Sequence, residues 1–448
     1  MTDGLPAGSE TQIMRVLIVT PEYPPEHGGG IATYYRELTR GLQKLGHEVS
    51  VFKGSAYQHG GAAYKFEEVE VSVLETARYE KWKAKLSQFK TFTELHGQLA
   101  ASFAIHEQAA EGVGFDAVEV TDWGMLFIPW LMSGKVKTLV QLHGSYGQIA
   151  SHEPVGGREM EGTMALLLER AGLGLAPLLS SYSQSNVSWW ELVLGRPVEY
   201  VPPPLGNEFG GTVVQRSGWI TLGRMQQWKG PQIACAAWAR MGAMAPVLKW
   251  FGRDTAHGAT GASTSRWLSR TYPEVWERSI CPYSALPPSG VVEELSKCRA
   301  VVIPSEWDVF NLVTAEAMAC GCVVLVSSGA GSSDLIEHGR NGFLFPAGDD
   351  EALSELVLRV DRMSAEECRS IGIAAAQTIT DNLDPKVIAA RKIELYAAAR
   401  PTSLLPPDWL SHALLKETSA APSFLSGVSW FTLVKHLAGR VLQKLTRR

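Results

Sequence analysis

Two acids and two cations stand where their types and spacing can do chemistry. Asp308 and Glu316 belong to PSEWDVFNLVTAEAMACG (304–321), the first in a strand-to-helix loop and the second in the second turn of the helix that follows. That placement sets both carboxylates toward one cleft, and their eight-residue spacing is too long for an ion-pair ladder on one helix. Arg224 ends the segment WITLGR (219–224) and Lys229 lies in the loop MQQWKG that follows that strand. Open α/β sheets bind ligands at the carboxyl ends of their strands, and two cations there are well placed to hold a diphosphate. Gly28, Gly29 and Gly30 sit between another strand and a helix, where backbone N–H groups and the positive end of the helix dipole favour a phosphate. A tight turn needing positive φ accounts for the same glycines equally well.

Several chemistries are excluded or disfavoured. A dinucleotide fingerprint needs a third glycine where Thr33 stands and an acid after the second strand, where Lys53 stands. No GxxxxGK[ST] loop is present, so ATP hydrolysis on a P-loop has no support. The six cysteines include no CxxC pair, and His152, His257 and His338 lack metal-ligand spacing, so no metal and no cofactor are expected. A net charge of -5 without a basic run in the body of the chain argues against a nucleic-acid partner. FDAVEVTDWG (115–124) ends a strand and places Asp122 and Trp123 on the cleft side, Trp123 as a platform for stacking a sugar or as one of many packing tryptophans. Trp307, beside Asp308, reads as a lid on the core.

The elements that must position these residues repeat a pattern. RVLIVT (15–20) is a buried strand, 31–45 a helix with Ile31, Tyr34, Tyr35, Leu38, Leu42 and Leu45 on one face, Gly46 its cap, and HEVSVF a second strand. From Trp219 the order recurs: WITLGR, a loop, a helix from Pro231 to Met241, and PVLKWFG. Later, CRAVVIPS (298–305) and CVVLVS (322–327) are strands on either side of the helix 312–320. Two openings about 200 residues apart, in a chain of 448 residues, predict two doubly wound Rossmann-like domains facing across a cleft. Three prolines and four glycines in 201–218 mark the hinge.

The expected organisation is a loose tail at 1–13, with Met14 an alternative start; a first Rossmann-like domain at 14–205; a second at 206–384; and a closing helix at 385–400 that packs back on the first domain. The helical pattern from Glu351 to Tyr396 breaks near Pro385, and 401–423 is a linker. The first residues lack a secretory signal and no apolar run is long enough to span a membrane, so a cytoplasmic protein is expected. Residues 424–448 carry Lys435, Arg440, Lys444, Arg447 and Arg448 with no acid. Trp430, Leu433, Val434, Leu437, Val441 and Leu445 share one helical face, with His436, Arg440 and Arg447 opposite. Such a helix suits the inner, anionic face of a cell membrane, or equally a docking site on protein.

The chain resembles the retaining glycosyltransferases of family 4, which have the GT-B fold. That pattern, an acid, Phe-Gly-Leu, a Glu eight residues after the acid and AMAxG, reads here as Asp308, Phe310, Asn311, Leu312, Glu316 and AMACG. The resemblance extends to Gly28–Gly30, LHGS at His143, VPPP at 201, LGRxxxxKG at 222–230 and GRNGFLF at 339–345, and spans residues 15 to about 400. It implies that Arg224 and Lys229 grip the diphosphate of a UDP- or GDP-sugar, that Glu316 takes hydrogen bonds from the ribose, and that Asp308 faces the sugar's hydroxyls. Phe310, Asn311 and Leu312 complete the donor side, and Gly28, Gly29, Gly30 and His143 approach from the other domain. Asp308 replaces the usual Glu and Asn311 a Gly, although Asn tolerates positive φ better than other residues with a side chain. The reaction implied is metal-independent sugar transfer, with retention, to a glycan or lipid-linked acceptor in polysaccharide or glycolipid synthesis. A sugar-nucleotide epimerase of the same fold, or a non-catalytic sugar-binding or scaffold protein, are the other readings.

Overall fold

A computed structural model describes residues 13–25, 29–152, 160–206, 216–257, 263–401, 414, 429–431, 434, 435 and 438. Among these residues the chain forms two sheets. The first contains β1 (Arg15–Thr20), β2 (Glu48–Lys53), β3 (Tyr64–Phe66), β4 (Val69–Val73), β5 (Ala117–Thr121), β6 (Lys137–Leu142), β7 (Leu178–Ser181) and β8 (Glu199–Tyr200). Their order is β3-β4-β2-β1-β5-β6-β7-β8, parallel except where β3 pairs with β4. The second contains β9 (Trp219–Leu222), β10 (Leu248–Phe251), β11 (Ile280–Tyr283), β12 (Ala300–Ile303), β13 (Val323–Ser327) and β14 (Phe343–Phe345), in the parallel order β11-β10-β9-β12-β13-β14. Strands buried on both faces explain the unbroken apolar runs in VLIVT and VVLVS.

In each sheet the strand order reverses beside its first strand, between β1 and β5 and between β9 and β12. The crevices outside the carboxyl ends at these two switch points are where such sheets accept ligands. Loops after β1, β5 and β6 come from one side, and loops after β9 and β12 from the other. The apolar face of helix Gly30–Lys44, with Tyr34, Tyr35, Leu38 and Leu42 fully buried, fixes the first loop against its sheet.

The helical region from Glu351 onward differs from its expected course. It contains three helices, Asp350–Arg362, Ala365–Asn382 and Pro385–Ala398. The additional break is at Ser364, whose hydroxyl and the Glu367 carboxylate form a reciprocal capping box. Pro385 opens the last helix, and the Asp384 carboxylate accepts from Lys386 N and Val387 N to cap it. That closing helix lies across helix Gly30–Lys44: a β-carbon on Gly41 would stand 2.2 Å from Pro385 O, so only glycine permits the crossing. Leu414 is buried in the first domain's core, and its carbonyl accepts from Gln88 Nε2 at 3.1 Å. Most of 1–13, 401–423 and 424–448 lies outside the described residues. Among the described residues no helix is long and apolar enough to cross a membrane.

Candidate active site

The second domain builds its half of the site from the ends of β9 and β12. Gly230 has φ of 75°, and a β-carbon there would stand 1.8 Å from Pro304 O, so the loop carrying Lys229 is pressed directly onto the end of β12. This closeness places Lys229 Nζ in an ion pair with Asp308. The same ammonium lies 4.7 Å from the centre of the Trp228 ring. Arg224 is exposed and its guanidinium has no partner among the described residues. Asp308 is held by its backbone, with its N–H donating to Gly329 O and its carbonyl accepting from Gly331 N, both at 2.9 Å.

Asn311 adopts φ of 76° at the start of helix Leu312–Ala319, the left-handed conformation for which a glycine would be the ordinary choice. Phe310 is buried, and Glu316 is half-buried one turn into the helix. Burial pushes the Glu316 carboxyl up to about 7, and it has no hydrogen-bond partner among the described residues.

The first domain meets this half closely. A β-carbon on Gly30 would lie 3.3 Å from Leu312 Cδ1, and one on Gly144 would lie 3.0 Å from Val309 Cγ2. Ser183 Oγ donates to Val309 O at 2.7 Å. His152 stacks on Trp307 with ring centres 4.0 Å apart and planes at 7°, so Trp307, which packs on the core and against Trp228 at 5.6 Å, is also a contact across the cleft. The Glu22 carboxylate accepts from Gly29 N at 2.8 Å and Ala32 N at 3.3 Å. The helix start expected to offer free N–H groups to a phosphate therefore already carries an acid, which sequence reasoning missed although Glu22 lies in the same loop. Gly28 lies outside the described residues.

His143 follows β6 inside a ring of tyrosines. Its Nε2 is 3.1 Å from the Tyr35 hydroxyl, its Nδ1 is hydrogen-bonded to the Tyr182 hydroxyl, and the Tyr34 ring packs edge-on at 5.1 Å. Burial, and then the charge of Lys392, hold the imidazole well below its usual range, so it is neutral.

Asp122 corrects an expectation. Its side chain is fully buried rather than cleft-facing, and it accepts from His143 N at 2.8 Å and Gly144 N at 3.3 Å. Desolvation pushes it up to about 7 despite those bonds. Asp122 holds the LHGS turn in place. Trp123 remains half-buried at the crevice, its N–H donating to Thr121 Oγ1 at 3.1 Å.

Family models match both halves of this architecture. Residues 29–203 match the glycosyl transferase 4-like domain, and residues 216–361 match glycosyl transferases group 1. The chain is a family-4-like, group 1 glycosyltransferase. Its two facing domains are the GT-B fold. Over 415 residues this glycosyltransferase is 24% identical to the alpha-maltose-1-phosphate synthase of Mycolicibacterium smegmatis, covering 86% of the chain and 99% of the relative. It is 29% identical over 203 residues to the D-inositol 3-phosphate glycosyltransferase of Geodermatophilus obscurus, a match that spans 42% of the chain and only 44% of that relative. The sucrose-phosphate synthase structure from Thermosynechococcus elongatus superposes with a TM-score of 0.68 at 19% identity, covering 86% of this chain and 98% of that one.

Proposed function

We propose that this glycosyltransferase works without a metal and with retention, moving a sugar from a UDP- or GDP-sugar to a hydroxyl of a glycan or lipid-linked acceptor in the synthesis of a cell-surface polysaccharide or glycolipid. The observation that carries the reading is the Lys229–Asp308 pair on the loops after β9 and β12 at their switch point, with Arg224 exposed on the same β9 loop and Gly30 of the first domain facing Leu312. Arg224 and Lys229 hold the diphosphate and stabilise the charge that grows on it as it leaves. Glu316 receives the ribose hydroxyls. Asp308, His143 and the Phe310–Leu312 turn face the sugar, with Gly29 and Gly30 closing over it; Trp123 is the candidate acceptor platform. The acceptor hydroxyl attacks on the face the diphosphate leaves, its proton passing to the departing phosphate, so the protein's share is positioning and charge stabilisation.

A cavity of about 410 Å³ at the ends of β9, β10 and β11, lined by Met225, Gly252, Arg253, Asp254, Pro282 and Tyr283, supports the same reading. It lies beside the Arg224 loop and is large enough for a nucleobase, with the Tyr283 ring stacked on Phe251 at 5.1 Å as one wall. The protein is assigned to the cytoplasm, with its basic C-terminal segment at the inner face of the membrane; Trp430, Phe431 and Val434 are exposed there.

Thermal-shift screening of nucleotide sugars, followed by transfer assays with phosphorylated sugars and lipid-linked glycans, tests the function. Two relatives are named for sugar or inositol phosphates, which places phosphorylated acceptors in that screen. Failure of UDP and GDP to bind in calorimetry would return the chain to the non-catalytic reading. An isomer formed from donor alone would make it an epimerase.

A further inference from the structure

The closing helix carries a charge into the other domain. Ile388, Ala389, Leu395 and Tyr396 form its buried face, and Lys392 stands in the middle of that face, 0% exposed. Lys392 Nζ lies 3.1 Å from Glu119 Oε2, itself 0% exposed on β5, and donates to Gln141 Oε1 at 2.5 Å and Ser180 Oγ at 2.9 Å. Glu119 is satisfied on both oxygens, accepting from Tyr396 Oη at 2.6 Å and from Tyr34 Oη at 3.2 Å. Tyr34 is the inner wall of the tyrosine ring around His143, its centroid 4.9 Å from Tyr35 and 5.2 Å from Tyr182. Two charges buried this deeply cost more than a packed apolar pair would. Both reach Tyr34, Glu119 through the tyrosine hydroxyl at 3.2 Å and Lys392 Nζ 5.7 Å from the centre of its ring.

We propose that Lys392 is a positioning residue for His143, acting through Glu119 and Tyr34 to hold the imidazole in its tyrosine ring and so linking the closing helix to the donor-sugar side of the cleft. The inference rests on the reading that places His143 beside the donor sugar. The field agrees with the geometry, since Lys392 opposes a second positive charge on His143. The other groups facing the imidazole are Tyr34 and Tyr35 from the first helix, Tyr182 after β7, Asp122 at its backbone, and Glu119 and Tyr396 beneath. Of these, Asp122 titrates near 7 and would contribute to any acid limb of activity, so activity alone does not isolate His143.

The test uses the full chain with Lys392→Met combined with Glu119→Gln, a charge-neutral exchange that leaves the two tyrosines one amide oxygen and one amide N–H to pair with, and Lys392→Arg as the conservative variant. The His143 imidazole is followed by NMR titration, assigned with His143→Asn, beside the pH profile of kcat/KM. The expected result for the folded double variant is a His143 midpoint about one pH unit higher or more, with kcat/KM lowered about tenfold and its acid limb moved the same way. Lys392→Arg should restore most of both. An unmoved His143 midpoint in a double variant that melts normally overturns the proposal. A moved midpoint with an unmoved acid limb upholds the positioning role and instead removes His143 from the reacting sugar. If the double variant does not fold, Tyr34→Phe, which removes the hydroxyl joining Glu119 to the ring, takes its place: a moved His143 midpoint supports the positioning role, and an unmoved one overturns it.

Discussion

Gly30 of the first domain faces Leu312 of the second so closely that a β-carbon on the glycine would lie 3.3 Å from Leu312 Cδ1. An alanine there asks the leucine to yield by a few tenths of an ångström; a valine asks for more and holds the cleft open. Gly30→Val should lower kcat/KM about tenfold with little change in melting temperature. Adding Leu312→Ala should recover part of that loss, because neighbouring residues are not additive. Steady-state kinetics of the four proteins is the check, and strictly additive losses would show that the contact plays no part.

Arg224 and Lys229 differ, the first without a side-chain partner among the described residues and the second paired with Asp308. Both Arg224→Ala and Lys229→Ala should lower turnover by about two orders of magnitude, since each removes charge needed by the leaving diphosphate. Their effects on stability should separate. Lys229→Ala leaves the Asp308 carboxylate without its partner and should lower the melting temperature, while Arg224→Ala should leave it unchanged. Asp308→Asn on top of Lys229→Ala should return the stability without the activity. Near-normal turnover in both single variants would remove these cations from the site.

What could be read in the sequence was what is local. The strand-loop-helix segment from Pro304 to Gly321 carries its acids, its turn and its helix within one stretch, and Asn311 occupies the left-handed conformation for which asparagine is suited. The break at Ser364 was also local and had a signal that was passed over, since a serine followed three residues later by Glu367 is the spacing of a capping box. Asp122 was misread because strand pattern tells where a side chain begins and not what it reaches; its partners are backbone groups of the turn after the next strand. Lys392 had a signal that was passed over, a lysine centred on the apolar stripe of Ile388, Ala389, Leu395 and Tyr396. Its partner Glu119 lies in a strand of the other domain, and only the folded chain brings them together.

Glu316 gives a pH dependence with a definite sign. Burial raises its carboxyl from an ordinary 4.5 to about 7, so the folded state favours the neutral acid. The stability this contributes is complete below the unfolded value and is lost as pH rises through about 7. Glu316→Gln should therefore melt higher than the parent at pH 8 and show a shallower decline between pH 5 and 8; Asp122 and Glu169, raised in the same direction, keep the remaining slope. The ionised form is the better acceptor for ribose hydroxyls. Donor KM should fall in the parent as pH rises through this range, and be higher and flat in Glu316→Gln. An unchanged KM would sink the ribose assignment.

Deleting residues 424–448 should leave donor binding intact and weaken both membrane association and activity on a lipid-linked acceptor. All the proposed donor-side residues lie before residue 350 and the closing helix ends at Ala398, ahead of the segment. It holds Lys435, Arg440, Lys444, Arg447 and Arg448 and no acid. Each cation near an anionic surface contributes on the order of 1 kcal/mol, which salt screens within about a Debye length. The described residues of the segment leave Trp430 83%, Phe431 78% and Val434 57% exposed, apolar groups available to insert beside those charges. Charge and insertion together suffice for reversible binding, so the full chain should pellet with anionic vesicles at low salt, less at high salt and little with neutral vesicles. Equal pelleting of the full and shortened chains would end the membrane reading and leave the segment as a docking helix for protein.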